Sequence, residues 1–325
     1  MGLGDGAFSF KHVLSVGTEQ TPTAHSLIPE NEEPSQSHQK PLSPEDVASV
    51  GTFVFFMGWQ RSGHSIIGSL LDGHPDVIIA HEFFLFQQWE RLFRMHNRTA
   101  LFNKLYKNSF SNAQSGWRSW KMNQKGYNLE LPNSWQGKFR KLRVIGDKTG
   151  GEVTKKYYEN PKEFHFILAG IQKLVRVPIK VINVVRNPFD MIATLTLYRG
   201  ADSTATKVNA TENNKFKDFT ILKKATKDIT YRAVALEQIQ RRYDIDLLRV
   251  YSEDFIRTPK AVMSEICHFL ELQCTEEYLQ QCADKAFPTV SRSRYLVEWD
   301  PAIISFVEQL THTFSFFNRY TLDKD

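Results

Sequence analysis

A loop bounded by two glycines, between an apolar run and a helical pattern, constrains the fold of this chain more than any other feature. The loop, Gly58–Ser65, reads GWQRSGHS. It follows the apolar run 53–57, and from Ile66 onward apolar residues recur at helical spacing. The order strand, tight loop, helix directs consecutive backbone N–H groups and a helix N-terminus at one point. The segment therefore predicts a binding loop for a phosphate or another tetrahedral anion.

The loop has the spacing of a P-loop but lacks the lysine of that motif. In G-x-x-x-x-G-K-S/T the lysine follows the second glycine, and here His64 occupies that place. The nearest cation is Arg61, and the apolar run 181–185 ends in Arg186, where a nucleoside triphosphatase would offer an aspartate for Mg²⁺. Two arginines in these places predict that side-chain cations neutralise the anion without a metal ion.

Strand-like and helix-like patterns alternate along most of the chain. The predicted strands are 52–57, 77–80, 142–145, 181–185 and 247–251, with helical patterns between them. This alternation predicts an α/β fold, a P-loop-type three-layer sandwich with a central parallel sheet flanked by helices. In such folds ligands bind at the carboxyl ends of the strands. Residues 1–50 are polar and proline-containing, which predicts a disordered tail before a folded domain at 51–325.

Charge and cysteine content narrow the function classes only slightly. The net charge of +5 favours anionic ligands weakly, but the charges are interspersed, so nucleic-acid binding is not predicted. The three cysteines, Cys267, Cys274 and Cys282, have no C-x-x-C spacing and no histidine at ligand spacing, which predicts buried or free thiols rather than a metal site.

The sequence shows neither the pattern of a membrane span nor that of a signal peptide. No apolar stretch reaches the length of a membrane span, and residues 1–10 do not have the pattern of a signal peptide. A cytoplasmic protein is predicted. The sequons at Asn97 and Asn209 would suit a secretory protein, and they leave that alternative open.

Two motifs together resemble those of the sulfotransferases that use 3′-phosphoadenosine 5′-phosphosulfate (PAPS). The run RSGHS at 61–65 is similar to the 5′-phosphosulfate loop of that family, and VVRNP at 184–188, with Thr194 eight residues after Arg186, is similar to its 3′-phosphate motif. The runs LLDGHPDV at 70–77 and YSEDF at 251–255 extend the likeness toward the membrane-type and tyrosylprotein branch. The resemblance covers about residues 52–300 and departs from the family pattern at His64 and Thr194.

The resemblance implies a set of cofactor-binding residues. Arg61 would steady the transferring sulfonate, and the 5′-phosphosulfate would be bound by Ser62, Gly63, His64 and Ser65. The 3′-phosphate would be bound by Arg186 and by Thr194, which keeps the hydroxyl of the usual serine. Two later positions are also implied in cofactor binding, Tyr251 and Arg294, the latter with Arg292 in an arginine-rich loop. The alternative for Tyr251 is a buried tyrosine of a strand, and the alternative for Arg294 is an exposed loop without a ligand.

The implied catalytic residues are Arg61, Glu82 and Lys148. Glu82 stands where the tyrosylprotein branch has its catalytic base, and a carboxylate there could take a proton from an attacking hydroxyl. His81 is the rival base, because its ordinary pKa suits the task. Lys148, in GDKTG at 146–150, is similar to a lysine that holds sulfonate or substrate. A surface glutamate and a solvated lysine are the alternatives.

The function that the resemblance implies is transfer of a sulfonate from PAPS, as co-substrate and without a metal, to an acceptor hydroxyl or amine. A P-loop nucleotide kinase or NTPase is one alternative, and a catalytically inactive nucleotide-binding relative is another. Carbohydrate, tyrosine and small-alcohol acceptors all remain open, and no oligomeric state is predicted. Relatives in this branch are commonly found in the Golgi lumen behind an N-terminal anchor, so a lumenal location is the alternative to the cytoplasm.

Overall fold

One parallel sheet of five strands forms the centre of the molecule. The computed structural model describes residues 39–93, 97–116, 128–132, 135–201 and 210–325. The strand order in the sheet is β2-β3-β1-β4-β5, and every pair of neighbours is parallel. In chain order the strands are β1 Thr52–Gly58, β2 Val77–His81, β3 Val144–Lys148, β4 Ile179–Val185 and β5 Asp246–Tyr251.

Helices connect and cover these strands, which confirms the predicted α/β fold with a central parallel sheet. In chain order they are α1 Pro44–Ser49, α2 His64–Leu71, α3 Trp89–Phe93, α4 Arg98–Gln114, α5 Glu152–Glu159, α6 Pro161–Val175, α7 Pro188–Gly200, α8 Phe219–Arg242, α9 Ser252–Arg257, α10 Pro259–Phe269, α11 Glu276–Ala283 and α12 Pro301–Thr313. Single 3₁₀ turns lie at Ser293–Leu296, before α12, and at Ser315–Phe317, after it.

Strand β1 is buried on both faces, which explains its unbroken apolar character. Val54 and Phe56 belong to one apolar cluster, which also includes residues of α2, α10 and α11. Phe53 stacks on Phe102 and Phe55 meets Phe86 edge-on, with ring centroids 6.4 and 5.4 Å apart. Successive side chains of a strand point to opposite faces, so both faces of β1 are covered.

The folded part of the chain begins before the boundary predicted at residue 51. The Ser43 hydroxyl oxygen accepts a hydrogen bond from the Asp46 N–H, and the Asp46 carboxylate accepts one from the Ser43 N–H. The two bonds form a capping box at the start of α1. Leu42 and Val47 are buried, and the Leu42 N–H donates to Asn103 Oδ1 at 2.8 Å. The disordered tail predicted for residues 1–50 therefore does not extend through α1, and residues 1–38 lie outside the described ranges.

A buried carboxylate on β3 fixes the chain that follows β2. Asp147 accepts hydrogen bonds from the N–H groups of Phe83 and Leu85, at 3.1 and 2.9 Å. The residue before each of these two enters the left-handed region, with φ of 51° at Glu82 and 60° at Phe84, which is uncommon for residues with a side chain. Burial raises the pKa of Asp147 to about 7. This carboxylate therefore sets the position of Glu82 at the edge of the sheet.

Two of the three cysteines form a disulfide, so the prediction of thiols was wrong for these two. Cys267 lies in α10, and its partner Cys274 follows the end of that helix. Cys282 is free and buried, as predicted. Sequence spacing alone does not identify a disulfide of such short separation, because the turn after α10 brings the two side chains together. Among the described helices, none is long and apolar enough to cross a membrane.

The buried Asp147 should make stability depend on pH near neutrality. Because its pKa is raised in the folded state, its contribution is fully present below about pH 4 and is lost as the pH rises through about 7. Asp147→Asn removes this titration. We expect the free energy of unfolding, measured with urea at about pH 5 and about pH 7.5, to fall less in the variant than in the unchanged protein. Asp190 and Glu253, whose pKa values burial also raises, titrate in both proteins and cancel in the comparison. An equal fall in both proteins would contradict this role of Asp147.

The disulfide should contribute modestly to stability because the loop it closes is short. Cys274→Ser should lower the free energy of unfolding by about 2 kcal/mol, the loop-closure entropy expected for a separation of this size. Urea unfolding of the unchanged protein with and without a reductant should give the same difference. The variant itself should not respond to the reductant, and a response there would show that the reductant acts elsewhere.

Candidate functional site

A single cavity runs along the carboxyl edge of the sheet and receives residues from the loops after all five strands. Its volume is about 680 Å³. The loop after β1 and the start of α2 contribute Gln60, Arg61, Gly63, His64, Ser65 and Ile66. The segments after β2 and β3 contribute Glu82 and Phe84, and Gly150 and Glu152. The segment after β4 contributes Arg186, Thr194 and Tyr198, and the segment after β5 contributes Ser252, Glu253 and Ile256. Leu129, Phe287, Val290 and Ser291 complete the wall.

The anion loop is held in shape from beneath. Trp59 is buried, and its indole N–H donates to the Ile229 carbonyl at 3.0 Å. The Ser62 hydroxyl donates to the Trp59 carbonyl at 3.0 Å, so it faces inward and not into the cavity. Gly63 has a φ of 95° and lies so close to Ser252 that a Cβ would come within 2.7 Å of the serine hydroxyl. The loop therefore requires glycine at 63, immediately before helix α2 begins.

Arg186 joins the anion loop to the start of the arginine-rich segment. Its guanidinium donates to the Arg61 carbonyl at 3.2 Å, to Thr194 Oγ1 at 3.3 Å and to the Ser291 carbonyl at 2.7 Å. Thr194 Oγ1 also lies 2.7 Å from Ser293 Oγ. The structure thus brings Arg61 to Arg186 and Thr194, and Arg186 follows Arg61 by 125 residues in the sequence.

Arg61 lines the cavity with its positive charge available. It has a φ of 65°, and its guanidinium lies 4.0 Å from the centre of the exposed ring of Tyr198. Within the described ranges, neither Arg61 nor Arg186 forms a salt bridge with a carboxylate. Two guanidinium groups on one cavity wall, neither of them in a salt bridge with a described residue, favour an anionic ligand there.

Glu82, Lys148 and His64 form a charged cluster beside the loop. The buried Lys148 Nζ lies 2.7 Å from Glu82 Oε1 and 3.3 Å from Ser65 Oγ. The Gly150 N–H donates to Glu82 Oε2 at 3.3 Å, and His64 Nε2 lies 3.7 Å from Glu82 Oε1. Burial of Glu82 opposes its ionisation, but Lys148 and His64 outweigh burial and hold its pKa well below the ordinary range. The cluster therefore contains an ionised carboxylate whose charge is balanced by a buried ammonium.

The ring of His64 is uncharged in this environment. Burial lowers its pKa, and the positive charges of Lys148 and Arg61 act in the same direction. The nearby carboxylate of Glu82 opposes the shift without reversing it. His64 is also the first residue of α2, where the positive end of the helix dipole disfavours an imidazolium.

Arg294 does not reach the cavity, in contrast to the role implied by the resemblance. Its side chain is fully buried, with Nη1 2.5 Å from Asp190 Oδ2 and 2.8 Å from Asp325 Oδ1. Arg292 is bound to the other oxygen of Asp325, at 3.1 Å. The arginine-rich segment instead contributes Ser291 and Ser293, which contact Arg186. Two carboxylates stabilise the buried guanidinium, which gives Arg294 a structural role.

Tyr251 and His81 also lie outside the cavity wall. The ring of Tyr251 is covered by the Arg319 guanidinium, 4.5 Å from its centre, and meets Tyr320 edge-on. The His81 backbone N–H donates to Asn108 Oδ1 at 2.7 Å, and its side chain does not line the cavity. The geometry therefore favours neither the cofactor role of Tyr251 nor His81 as a base.

Several cavity residues were not among the sequence candidates. Tyr198 could have been found, because it follows Thr194 by one helical turn and shares its face of α7. Phe84 and Glu152 carry no such signal, since their positions depend on how the loops after β2 and β3 fold. The same is true of the apolar wall formed by Ile256, Phe287 and Val290. The described ranges contain no group of three or more His, Cys, Asp or Glu side chains arranged to hold a metal ion.

Solved structures with a similar fold are sulfotransferases of low sequence identity. The sulfotransferase domain of an olefin synthase from Synechococcus PCC 7002 has 16% identity and a TM-score of 0.43, over 86% of this chain and 98% of that one. A sulfotransferase from Mycobacterium avium has 15% identity and a TM-score of 0.45, over 83% and 79%. One from Alicyclobacillus acidocaldarius has 16% identity and a TM-score of 0.39, over 84% and 96%.

A model of the Sulfotransferase family matches residues 54–277, more than half of the chain. No curated protein matches the chain significantly. The matched segment contains β2 to β5, all of β1 except its first two residues, the anion loop, Arg186 and Thr194. This chain belongs to the sulfotransferase family.

Proposed function

We propose that this sulfotransferase uses PAPS as its donor and binds it at both phosphorylated ends. The observation that carries the proposal is the pair of guanidinium groups, Arg61 and Arg186, on one cavity wall, neither of which forms a salt bridge within the described ranges. Such a pair suits a nucleotide with two separate anionic groups better than a triphosphate with a bound metal ion.

The two ends of the donor have different partners in this proposal. The 5′-phosphosulfate lies in the loop Gly58–Ser65, where the N–H groups at the start of α2 and the Arg61 guanidinium bind it. The 3′-phosphate lies against Arg186 and Thr194, displacing some of the hydrogen bonds that these side chains now make to protein atoms. The apolar wall of Ile256, Phe287 and Val290 suits the adenine ring.

The residues around the loop would stabilise the charge that develops during transfer. The bound donor supplies an activated sulfonate on the oxygen that bridges to phosphorus. Arg61 and the loop N–H groups neutralise the phosphate that is released. Lys148, already fixed between Ser65 and Glu82, adds a buried positive charge on the side of the loop that faces the acceptor. Preorganised charges of this kind need no rearrangement during the reaction.

The acceptor enters from the side of the cavity formed after β2 and β3. Phe84 and Tyr198 are exposed aromatic rings at this cavity, and Glu82 and Glu152 are the carboxylates that the segments after β2 and β3 contribute. A hydroxyl or amine on a carbohydrate, a tyrosine or a small alcohol could approach there. The alternatives of a P-loop kinase and of an inactive relative gain no support from any contact in the cavity.

The disulfide bears on the compartment of the protein. Disulfides persist mainly in oxidising compartments, so Cys267–Cys274 favours the lumenal alternative over the cytoplasm. A cytoplasmic location would agree with the same chain if the two cysteines were reduced in the cell. The redox state of Cys267 and Cys274 in protein isolated under thiol-blocking conditions distinguishes the two.

The 3′-phosphate site predicts a nucleotide preference that can be measured without an acceptor. 3′-Phosphoadenosine 5′-phosphate should raise the melting temperature more than adenosine 5′-phosphate does, and more than ATP with Mg²⁺ does. Arg186→Met should weaken binding of the doubly phosphorylated nucleotide by about 10- to 100-fold, the loss expected for charge-assisted hydrogen bonds.

The matched control for this variant is Arg242→Met, at an exposed position outside the cavity. It should leave the preference for the doubly phosphorylated nucleotide unchanged. A stronger response to ATP with Mg²⁺ in the unchanged protein would contradict PAPS as the donor.

Arg61 should be required for transfer but not for folding. Arg61→Ala removes one cation at the released phosphate, and we expect the transfer rate to fall by about 100- to 1000-fold, as when one preorganised donor is lost. The rate is measured as formation of 3′-phosphoadenosine 5′-phosphate from PAPS with an acceptor found in a screen. The melting temperature without nucleotide should be close to that of the unchanged protein, and full turnover by a folded variant would refute the assignment.

A further inference from the structure

We propose that His64 accepts the proton of the attacking acceptor and that Glu82 acts as a positioning residue for the His64 ring. The inference rests on the proposed function, because it assigns the proton transfer within that reaction. Four features of the described cluster carry it: the bonds already made by Glu82, the tautomer of His64, the space left by Gly150 and the position of His64 on the cavity wall.

Both oxygens of the Glu82 carboxylate already accept hydrogen bonds from the protein. Oε1 lies 2.7 Å from Lys148 Nζ, and Oε2 accepts the Gly150 N–H at 3.3 Å. The buried ammonium of Lys148 stabilises the ionised carboxylate, and the pKa of Glu82 is accordingly low. A base is effective when its pKa lies near the working pH, so a carboxylate held in this way takes protons poorly.

The hydrogen bonds around Ser62 define which nitrogen of His64 is free. The Ser62 hydroxyl has one proton, and it donates that proton to the Trp59 carbonyl at 3.0 Å. Ser62 Oγ therefore acts as an acceptor toward His64 Nδ1, 3.4 Å away, so the ring proton lies on Nδ1. The lone pair of Nε2 remains available. His64 Nε2 is thus the basic atom of the cluster.

The His64 ring lies on the cavity wall, with Nε2 next to Glu82. His64 and Glu82 both line the cavity, and the 3.7 Å between Nε2 and Glu82 Oε1 is too long for a hydrogen bond in the resting state. Gly150 makes room for the ring, because a Cβ at that position would lie 2.9 Å from Nε2. The arrangement leaves Nε2 able to receive a proton and Glu82 able to stabilise the resulting charge.

The charges that face His64 keep its ring neutral before the reaction. Lys148 from β3 and Arg61 from the anion loop disfavour the imidazolium, whereas Glu82 after β2 favours it. Burial disfavours the imidazolium most strongly, and the pKa of His64 is therefore lowered. At neutral pH the ring is therefore unprotonated and can act as a base.

The proposed step balances without any further reactant. The acceptor oxygen attacks the sulfur of the donor and forms the new O–S bond, while the bond from sulfur to the bridging oxygen breaks. Its electron pair leaves with the phosphate oxygen, which Arg61 and the loop neutralise. The acceptor proton passes to His64 Nε2, and the imidazolium is then paired with Glu82. Release of that proton to water restores the neutral ring.

The first experiment separates proton transfer from nucleotide binding. His64→Thr keeps the backbone N–H and a hydroxyl in the loop, so the shift of melting temperature by 3′-phosphoadenosine 5′-phosphate should stay nearly unchanged. The transfer rate should fall by about 100- to 10 000-fold, the usual contribution of a general base. His312→Thr, at an exposed position of α12 outside the cavity, is the matched control and should retain the rate. A loss of binding as large as the loss of rate, or an unchanged rate, overturns the proposal.

The second experiment reads the ring of His64 directly and needs no acceptor. In protein with ¹⁵N-labelled histidine, with the His64 signal assigned by its absence from His64→Thr, nitrogen shifts should report the tautomer protonated on Nδ1 and a pKa below the ordinary histidine value. Glu82→Gln should lower the pKa of His64 further, because the carboxylate favours the imidazolium. A tautomer protonated on Nε2, or a pKa unaffected by Glu82→Gln, overturns the proposal.

The two results together distinguish failure of this inference from failure of the proposed function. If 3′-phosphoadenosine 5′-phosphate does not bind the unchanged protein, the donor assignment fails, and the inference fails with it. If the nucleotide binds and transfer occurs equally with His64 and with threonine, only the inference fails.

Discussion

The parallel pairing of β1 between β3 and β4 is the constraint on which the site depends. Parallel strands end at the same edge, so this pairing places the anion loop between Lys148 on one side and Arg186 on the other. Register matters as well as order, since Phe55 is paired with Asp147 on one side and with Val181 on the other. A shift of one residue would turn these side chains to the opposite face and separate the charges from the loop.

Burial gives the charges around the loop their different properties. Lys148 is enclosed and needs an anionic partner, which Glu82 provides at 2.7 Å. Asp147, one residue earlier, is enclosed without such a close cation, and its pKa is raised to about 7. Arg61 and Arg186 stay at the cavity surface, where water solvates them until a ligand arrives. Neighbouring residues of one strand thus differ in charge state because their partners differ.

Local sequence was sufficient for the existence of the strands and for the anion loop, because continuous apolar runs identify strands that are covered on both faces. The pairing of Arg186 with Thr194 came from the resemblance of VVRNP and Thr194 to the 3′-phosphate motif. Sequence reasoning was insufficient for Arg294, because nothing in its neighbourhood indicates the carboxylates of Asp190 and Asp325 that enclose it. It also placed the start of the fold too late, since α1 is stabilised by its capping box and by contact with α4.

By itself, then, the sequence determined an α/β chain with an anion loop that carries a positive charge, because short runs of neighbouring residues indicate both buried strands and the loop. Only the tertiary structure decided which of the candidate side chains share the cavity. It placed Glu82 and His64 on the cavity wall, with the buried Lys148 bonded to Glu82, and it left Arg294, Tyr251 and His81 outside that wall. The physical reason is that charge state and direction depend on contacts between residues far apart in sequence, such as Lys148 with Glu82, and on burial, which no local pattern records.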